Sequence, residues 1–119
     1  MLLLAGCGGS SGGGYAQQLS STLSAVSQPA SLDATSLSQL GNAYATAADR
    51  LGRLTPPAAV ADSHARMVAS MRAYADELTQ ASTLTSNRAA FEAEMARAQT
   101  DAQAWVAAFD EIRARGYAS

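Results

Sequence analysis

Three segments of this chain place their larger side chains at gaps that alternate between three and four residues. That spacing aligns the residues on one stripe of an α-helix. In the central segment the stripe is Val60, His64, Met67, Met71, Tyr74, Leu78 and Ala81. It predicts a helix over residues 56–82. Thr55 would cap this helix, and Pro56 would occupy its first position, where a missing N–H costs nothing.

The flanking segments repeat the pattern. The earlier stripe predicts a helix over residues 33–54, capped by Ser31 or Asp33, and it contains Leu37, Leu40, Tyr44, Ala47, Leu51 and Leu54. The later stripe predicts a helix over residues 87–115 and contains Phe91, Met95, Ala98, Ala102, Trp105, Phe109 and Ile112. Gly116 would then provide a left-handed C-cap. A weaker, serine-rich pattern predicts a first helix over residues 15–27, which Pro29 would end.

The short connections predict an all-α fold, an antiparallel bundle of three long helices with the weaker N-terminal helix beside it. Pairing the stripes across the turns places His64 level with Ala47 and Trp105, and Met67 level with Tyr44. Large side chains then largely face small ones, as interdigitating layers require. Gly41 lies inside the second helix and could mark a kink or a close helix crossing.

The composition limits the partners. At 119 residues, with 48% hydrophobic content, the chain is long enough for one domain. The formal net charge is -2, so no basic field attracts nucleic acid. All basic residues are arginines, and helical spacing predicts solvated ion pairs between Asp49 and Arg53, Asp62 and Arg66, Arg88 and Glu92, and Glu111 and Arg115.

The first residues resemble the lipobox of bacterial lipoproteins. Leu4-Ala5-Gly6 precedes Cys7, whose thiol would receive the lipid and become the mature N-terminus. Residues 1–7 then represent a truncated signal-peptide remnant, and we expect a charged and apolar segment upstream of Met1. Residues 8–14 are only glycine and serine, which predicts a flexible tether with a reach of about 15 Å before the bundle of residues 15–119.

One predicted layer could hold a ligand, formed by Tyr44, His64, Met67 and Trp105. Imidazole and thioether groups are ligands for Cu(I) or haem iron. Met95 would lie about 15 Å from His64 along the bundle, which leaves too few ligands for a metal site. We therefore predict no metal or cofactor. The layer could instead contain a small apolar pocket, or the helices could simply approach more closely there.

The sequence offers no catalytic arrangement. His64 is the only histidine, and a di-iron bundle needs two Glu-x-x-His motifs. Asp62 and Ser63 precede it directly, but sequence neighbours on a helix point in different directions and cannot form a triad. We therefore expect a protein that is not an enzyme.

Together, the lipobox, the Gly/Ser tether, the arginine-only basicity and the run Leu51-Gly52-Arg53-Leu54-Thr55-Pro56-Pro57 followed by His64 resemble small helical-bundle lipoproteins of actinobacteria. The resemblance implies a lipid anchor at Cys7 on the outer face of the cell membrane, and it implies no reaction. Such a protein would bind an unknown protein partner or stabilise the envelope. The competing hypothesis is a carrier of copper, haem or an apolar molecule at the predicted ligand layer. A third is self-association through alanine-rich outer faces.

Overall fold

The computed structural model describes residues 8–24, 26 and 33–117, and its secondary structure there is entirely helical. The helices are α1 (Gly8–Ser24), α2 (Ala34–Gly52), α3 (Ala61–Ser82) and α4 (Arg88–Ala114), and a 3₁₀ turn, Ala58–Val60, leads into α3. α3 packs extensively against both α2 and α4, and α1 packs against α2. The predicted all-α fold is confirmed.

Side-chain caps fix the starts of two helices. The Asp33 carboxylate accepts a hydrogen bond from the Ser36 N–H at 2.7 Å, and the Asn87 side chain accepts from the Ala90 N–H at 3.2 Å. Each bond satisfies an N–H that lacks a partner within the helix. After α4, Gly116 has φ of 88°, the left-handed conformation predicted for the C-cap. These boundaries lie within one or two residues of their predicted positions.

The predicted start of the third helix is wrong. Thr55 and Pro56 lie outside any helix, and Pro57 has φ of -58° and ψ of 149°, which is extended. The cause is the second proline, because a residue that precedes proline is disfavoured in the helical region. A helix start at Pro56 is therefore disfavoured, and α3 begins five residues later than predicted.

The first helix also differs from its prediction. α1 begins at Gly8, so it includes the segment predicted as a tether, and it ends at Ser24 rather than at residue 27. Once Tyr15 and Leu19 are packed, extending a helix needs no new nucleation step, which favours continuation toward Gly8. Each helical glycine costs about 1 kcal/mol relative to alanine, so the first turns are the least stable part of α1.

The core follows the predicted stripes of α2 and α3, whereas in α4 only Ala98 and Ile112 of the predicted stripe are buried, together with Glu94 and Ala108 from outside it. The largest fully buried side chains of the core come from all four helices and from the 3₁₀ turn: Leu19, Leu37, Leu51, Val60, Met67, Met71, Leu78 and Ile112. Each such side chain contributes about 1.5–3 kcal/mol through removal of its apolar surface from water. Trp105 is only half-buried, and Val106 next to it is exposed.

The register between α2 and α3 differs from the prediction. The rings of Tyr44 and Tyr74 meet edge to face with centroids 4.8 Å apart, whereas Met67 was the predicted neighbour of Tyr44. At this contact the shift is seven residues, or about 10 Å along the helix, and it is four residues where His64 meets Leu51 instead of Ala47. It accompanies the later start of α3. Because seven residues are two turns, the same stripe still faces inward.

Two of the five ion pairs in the described ranges connect different helices, and the other three lie within α4. Asp49 pairs with Arg72 of α3 at 2.7 Å, not with Arg53. Glu111 pairs with Arg66 of α3 at 2.6 Å. Of the four predicted pairs, Arg88 with Glu92 is confirmed, at 3.2 Å.

Candidate functional site

His64 is held on both sides at the end of the bundle where α2 ends and α3 begins. Its Nε2 lies 2.8 Å from the Leu51 carbonyl oxygen, and its Nδ1 lies 2.8 Å from the Tyr15 hydroxyl. A carbonyl oxygen can only accept, so Nε2 carries the proton. In the neutral ring Nδ1 then accepts, and the Tyr15 hydroxyl donates. We call this arrangement the Tyr15–His64 junction.

Burial sets the protonation states at the junction. Desolvation lowers the pKa of His64, and the hydrogen bond to Leu51 opposes that change. Burial raises the pKa of Tyr15 to about 12. Both groups are therefore neutral at pH 7, the state that these hydrogen bonds require. The Tyr117 ring meets Tyr15 at a centroid distance of 6.3 Å, so the junction connects α1, α2, α3 and the segment after α4.

The junction leaves His64 poorly suited to hold a metal. Both ring nitrogens already have hydrogen-bond partners, so coordination would require breaking one of these bonds. Met67 lies one turn further along α3 and is fully buried in the core. Within residues 8–24, 26 and 33–117, no three His, Cys, Asp or Glu side chains are grouped so that they could hold a metal ion.

Tyr44 and Trp105 form a second cluster with Tyr74. The Tyr44 ring lies 5.9 Å from the Trp105 ring and 4.8 Å from the Tyr74 ring, measured between centroids. Burial raises the pKa of Tyr44 to about 12, and Tyr74 adds to this effect. The buried Nε1 of Trp105 has no hydrogen-bond partner in the described part of the chain.

The predicted ligand layer is therefore not a single site. His64 contacts Tyr15 and Leu51, while Trp105 contacts Tyr44. Tyr74, the α3 neighbour of Tyr44, lies ten residues from His64, or about 15 Å along the axis. The register shift between α2 and α3 separates the two groups.

An open apolar groove lies beside the aromatic cluster. It has a volume of about 470 Å³, and its lining includes Tyr74 of α3 and Phe91, Met95 and Ala102 of α4. It lies on the Tyr44–Trp105 side of the predicted layer and does not include His64.

Three carboxylates at the α3–α4 contact were missed at the sequence level. Glu94 is buried and pairs with Arg97 at 2.8 Å. Burial first, then the neighbouring carboxyl group of Asp101 and the charge of Glu94, raise the pKa of Glu77 to about 7, against the opposing charge of Arg97. The buried Oε1 of Glu77 has no hydrogen-bond partner within the described residues. The sequence contained a signal for two of these carboxylates, because Glu77 and Glu94 each lie three residues after an aromatic residue of the stripe in their own helix.

The lipobox, Leu4, Ala5, Gly6 and Cys7, lies outside the described residues, so lipidation stays a prediction. None of the helices in the described ranges combines the length and apolar character needed to cross a membrane. No protein-family model, curated protein or solved structure matches the chain.

Proposed function

We propose that this protein is a non-enzymatic, lipid-anchored helical bundle on the outer face of the cell membrane, attached through Cys7. It would bind a protein partner there or stabilise the envelope. The run Leu4-Ala5-Gly6-Cys7 carries the proposal. Several acyl chains on one residue would make the attachment stable, whereas a single chain would be marginal.

The direction of α1 supports an anchor at one end of the bundle. Tyr15 lies beside Leu51, near the end of α2. Gln17 and Gln18 line a groove with Arg50 and Arg53 at the end of α2, whereas the groove that extends to Gln39 and Asn42, nearer its start, is lined from α1 by Thr22 alone. α1 therefore runs opposite to α2, and Gly8 lies about 10 Å beyond Tyr15 in the direction away from the bundle. A lipid at Cys7 would leave the molecule at that end.

We also propose that the three long helices form an antiparallel bundle that acts as a rigid spacer. Contacts along α2 and α3 run in opposite order, since Gly41 approaches Thr79 while Leu51 meets His64. The principal extents are 56 × 22 × 20 Å. Anchored at one end, such a rod would present its opposite end, including the turn before Asn87, away from the lipid surface.

Expression from the native locus in an actinobacterial host tests the anchor. We expect the wild-type protein in the membrane fraction, with an intact mass that shows lipid on Cys7. Cys7→Ser should lose the added mass and move to the soluble fraction. A wild-type protein that is recovered soluble, with an unmodified Cys7 thiol, would contradict the proposal.

The competing carrier hypothesis has less support. Its ligand layer required His64 and Trp105 to face one site, and they belong to separate clusters. Titration with Cu(I) and haemin, with His64→Ala as the control, tests it directly. A spectral change in the wild type that His64→Ala abolishes would restore the carrier hypothesis.

A further inference from the structure

A polar groove follows the contact between α1 and α2. It consists of two adjoining open grooves, of about 330 and 580 Å³, that share Thr22 and Arg50. We call their union the α1–α2 groove. Its polar lining is Gln17, Gln18, Ser21 and Thr22 from α1, with Gln39, Asn42, Thr46 and Arg50 from α2 and Arg53 just after it.

The groove contains positive charge that no carboxylate balances. Arg50 and Arg53 form no ion pair within residues 8–24, 26 and 33–117, whereas five other arginines do: Arg66, Arg72, Arg88, Arg97 and Arg113. α1 has no charged residue that could neutralise them. The nearest acidic residue of α2, Asp49, pairs with Arg72 of α3. Both guanidinium groups are thus available to an anionic ligand, which they can bind through paired N–H groups.

The rest of the lining indicates what the ligand carries besides the anion. The glutamine and asparagine amides donate and accept hydrogen bonds, as do the serine and threonine hydroxyls. A ligand with several hydroxyl groups can use both functions. No aromatic side chain lines the α1–α2 groove, so it offers no stacking surface for a base or a porphyrin.

The positions of Arg50 and Arg53 can also be explained without a ligand, but that explanation does not account for the uncharged polar residues of the lining. Arginines near the end of α2 stabilise the negative end of the helix dipole. That effect does not require the seven uncharged polar side chains that α1 and α2 contribute to the lining. A ligand explains both sets of residues.

We propose that the α1–α2 groove binds an anionic, polyhydroxylated ligand, a sugar or polyol phosphate, with Arg50 and Arg53 holding the phosphate. The uncharged amide and hydroxyl side chains of the groove lining would contact the hydroxyl groups of the ligand. The same chemistry occurs in free sugar phosphates and in phosphoinositide-type lipid headgroups. The site does not depend on lipidation of Cys7, so the two proposals fail separately.

The full chain with Cys7→Ser, which cannot be lipidated, provides the test. Inositol 1-phosphate, glucose 6-phosphate, glycerol 1-phosphate and inorganic phosphate are titrated while the side-chain Nε–Hε signals of Arg50 and Arg53 are followed by NMR. We expect shifts with the polyol and sugar phosphates and weaker binding of inorganic phosphate. Arg50→Gln and Arg53→Gln should each reduce affinity about tenfold or more, as loss of a charged hydrogen bond does.

Matched variants separate the anion site from general charge. Arg88→Gln removes an exposed arginine from α4 and should leave affinity unchanged. Asn42→Ala should weaken binding of the sugar phosphates but not of inorganic phosphate. Vesicles of phosphatidylinositol, compared with phosphatidylcholine, identify the source: tighter binding to the lipid indicates a headgroup, and tighter binding of free inositol 1-phosphate indicates a soluble ligand.

Two results would overturn the proposal. In the first, none of the sugar or polyol phosphates shifts the Arg50 and Arg53 signals, and phosphatidylinositol vesicles do not bind. In the second, Arg88→Gln weakens binding as much as Arg50→Gln does, which would indicate attraction by net charge rather than a site.

Discussion

Gly41 lies where α2 closely approaches α3, and its replacement by alanine tests the packing of these helices. A Cβ at this position would lie 2.5 Å from the Thr79 hydroxyl oxygen, 3.1 Å from the Ala75 carbonyl oxygen and 3.2 Å from the Thr79 backbone nitrogen. The Thr79 side chain can rotate away, but the two backbone atoms cannot. Gly41→Ala therefore requires the helices to move apart.

The magnitude follows from two opposing effects. Overpacking a well-filled contact costs about 1–3 kcal/mol. Replacing a helical glycine by alanine returns about 1 kcal/mol through helix propensity. For Gly41→Ala we expect a net loss of about 1 kcal/mol in the free energy of unfolding.

Gly52, at the end of the same helix, offers a matched control. Its added Cβ would meet the end of the flexible Arg72 side chain at 3.1 Å and Val68 at 3.8 Å, with no backbone atom nearby. Gly52→Ala should therefore stabilise the protein by up to about 1 kcal/mol. Urea unfolding followed by circular dichroism measures both variants. If Gly41→Ala stabilises the protein as Gly52→Ala does, the close α2–α3 crossing is wrong.

Three further changes have defined outcomes. Tyr15→Phe removes the hydrogen bond to His64 and should lower the free energy of unfolding by about 1 kcal/mol. Relative to the wild type, backbone hydrogen exchange should accelerate more in α1 than in α4. Equal exchange in wild type and variant would contradict the junction. The raised pKa of Glu77 means that its stabilising contribution is present below pH 4.5 and lost as the pH rises through about 7. Glu77→Gln should flatten the pH dependence of thermal unfolding over that range, and an unchanged profile would refute the assignment. Asn87→Ala removes the cap of α4 and should cost about 1 kcal/mol, while Ser86→Ala serves as the control and should cost less.

The spacing of apolar residues was sufficient to predict which side of α2 and α3 is buried, but not which side of α4, where Glu94 and Ala108 are buried from outside the predicted stripe. Met71 and Leu78 are fully buried, as their stripe indicates. Spacing does not determine which residues meet across helices, because that depends on the residues used in the connection. The second proline, Pro57, lengthened the connection and replaced Met67 by Tyr74 as the neighbour of Tyr44.

The candidate site was less predictable for the same reason. His64 and Trp105 are both on inward stripes, but sharing a stripe did not bring them together. The partner of His64 is Tyr15, from a helix whose own pattern is weak and gives no position against α3. The unpaired state of Arg50 and Arg53 depends on α1, which lies beside them and contains no acidic residue. That information exists only in the assembled fold.

The direction of α1 is the central claim, since it determines where a lipid anchor would leave the bundle. Cys7 is the single cysteine, so a nitroxide label attaches there without other changes. Paramagnetic broadening in the full chain should be strongest at residues 51–57 and 113–117 and absent at residues 83–90. Strongest broadening at residues 83–90, or uniform broadening along the bundle, would contradict the account.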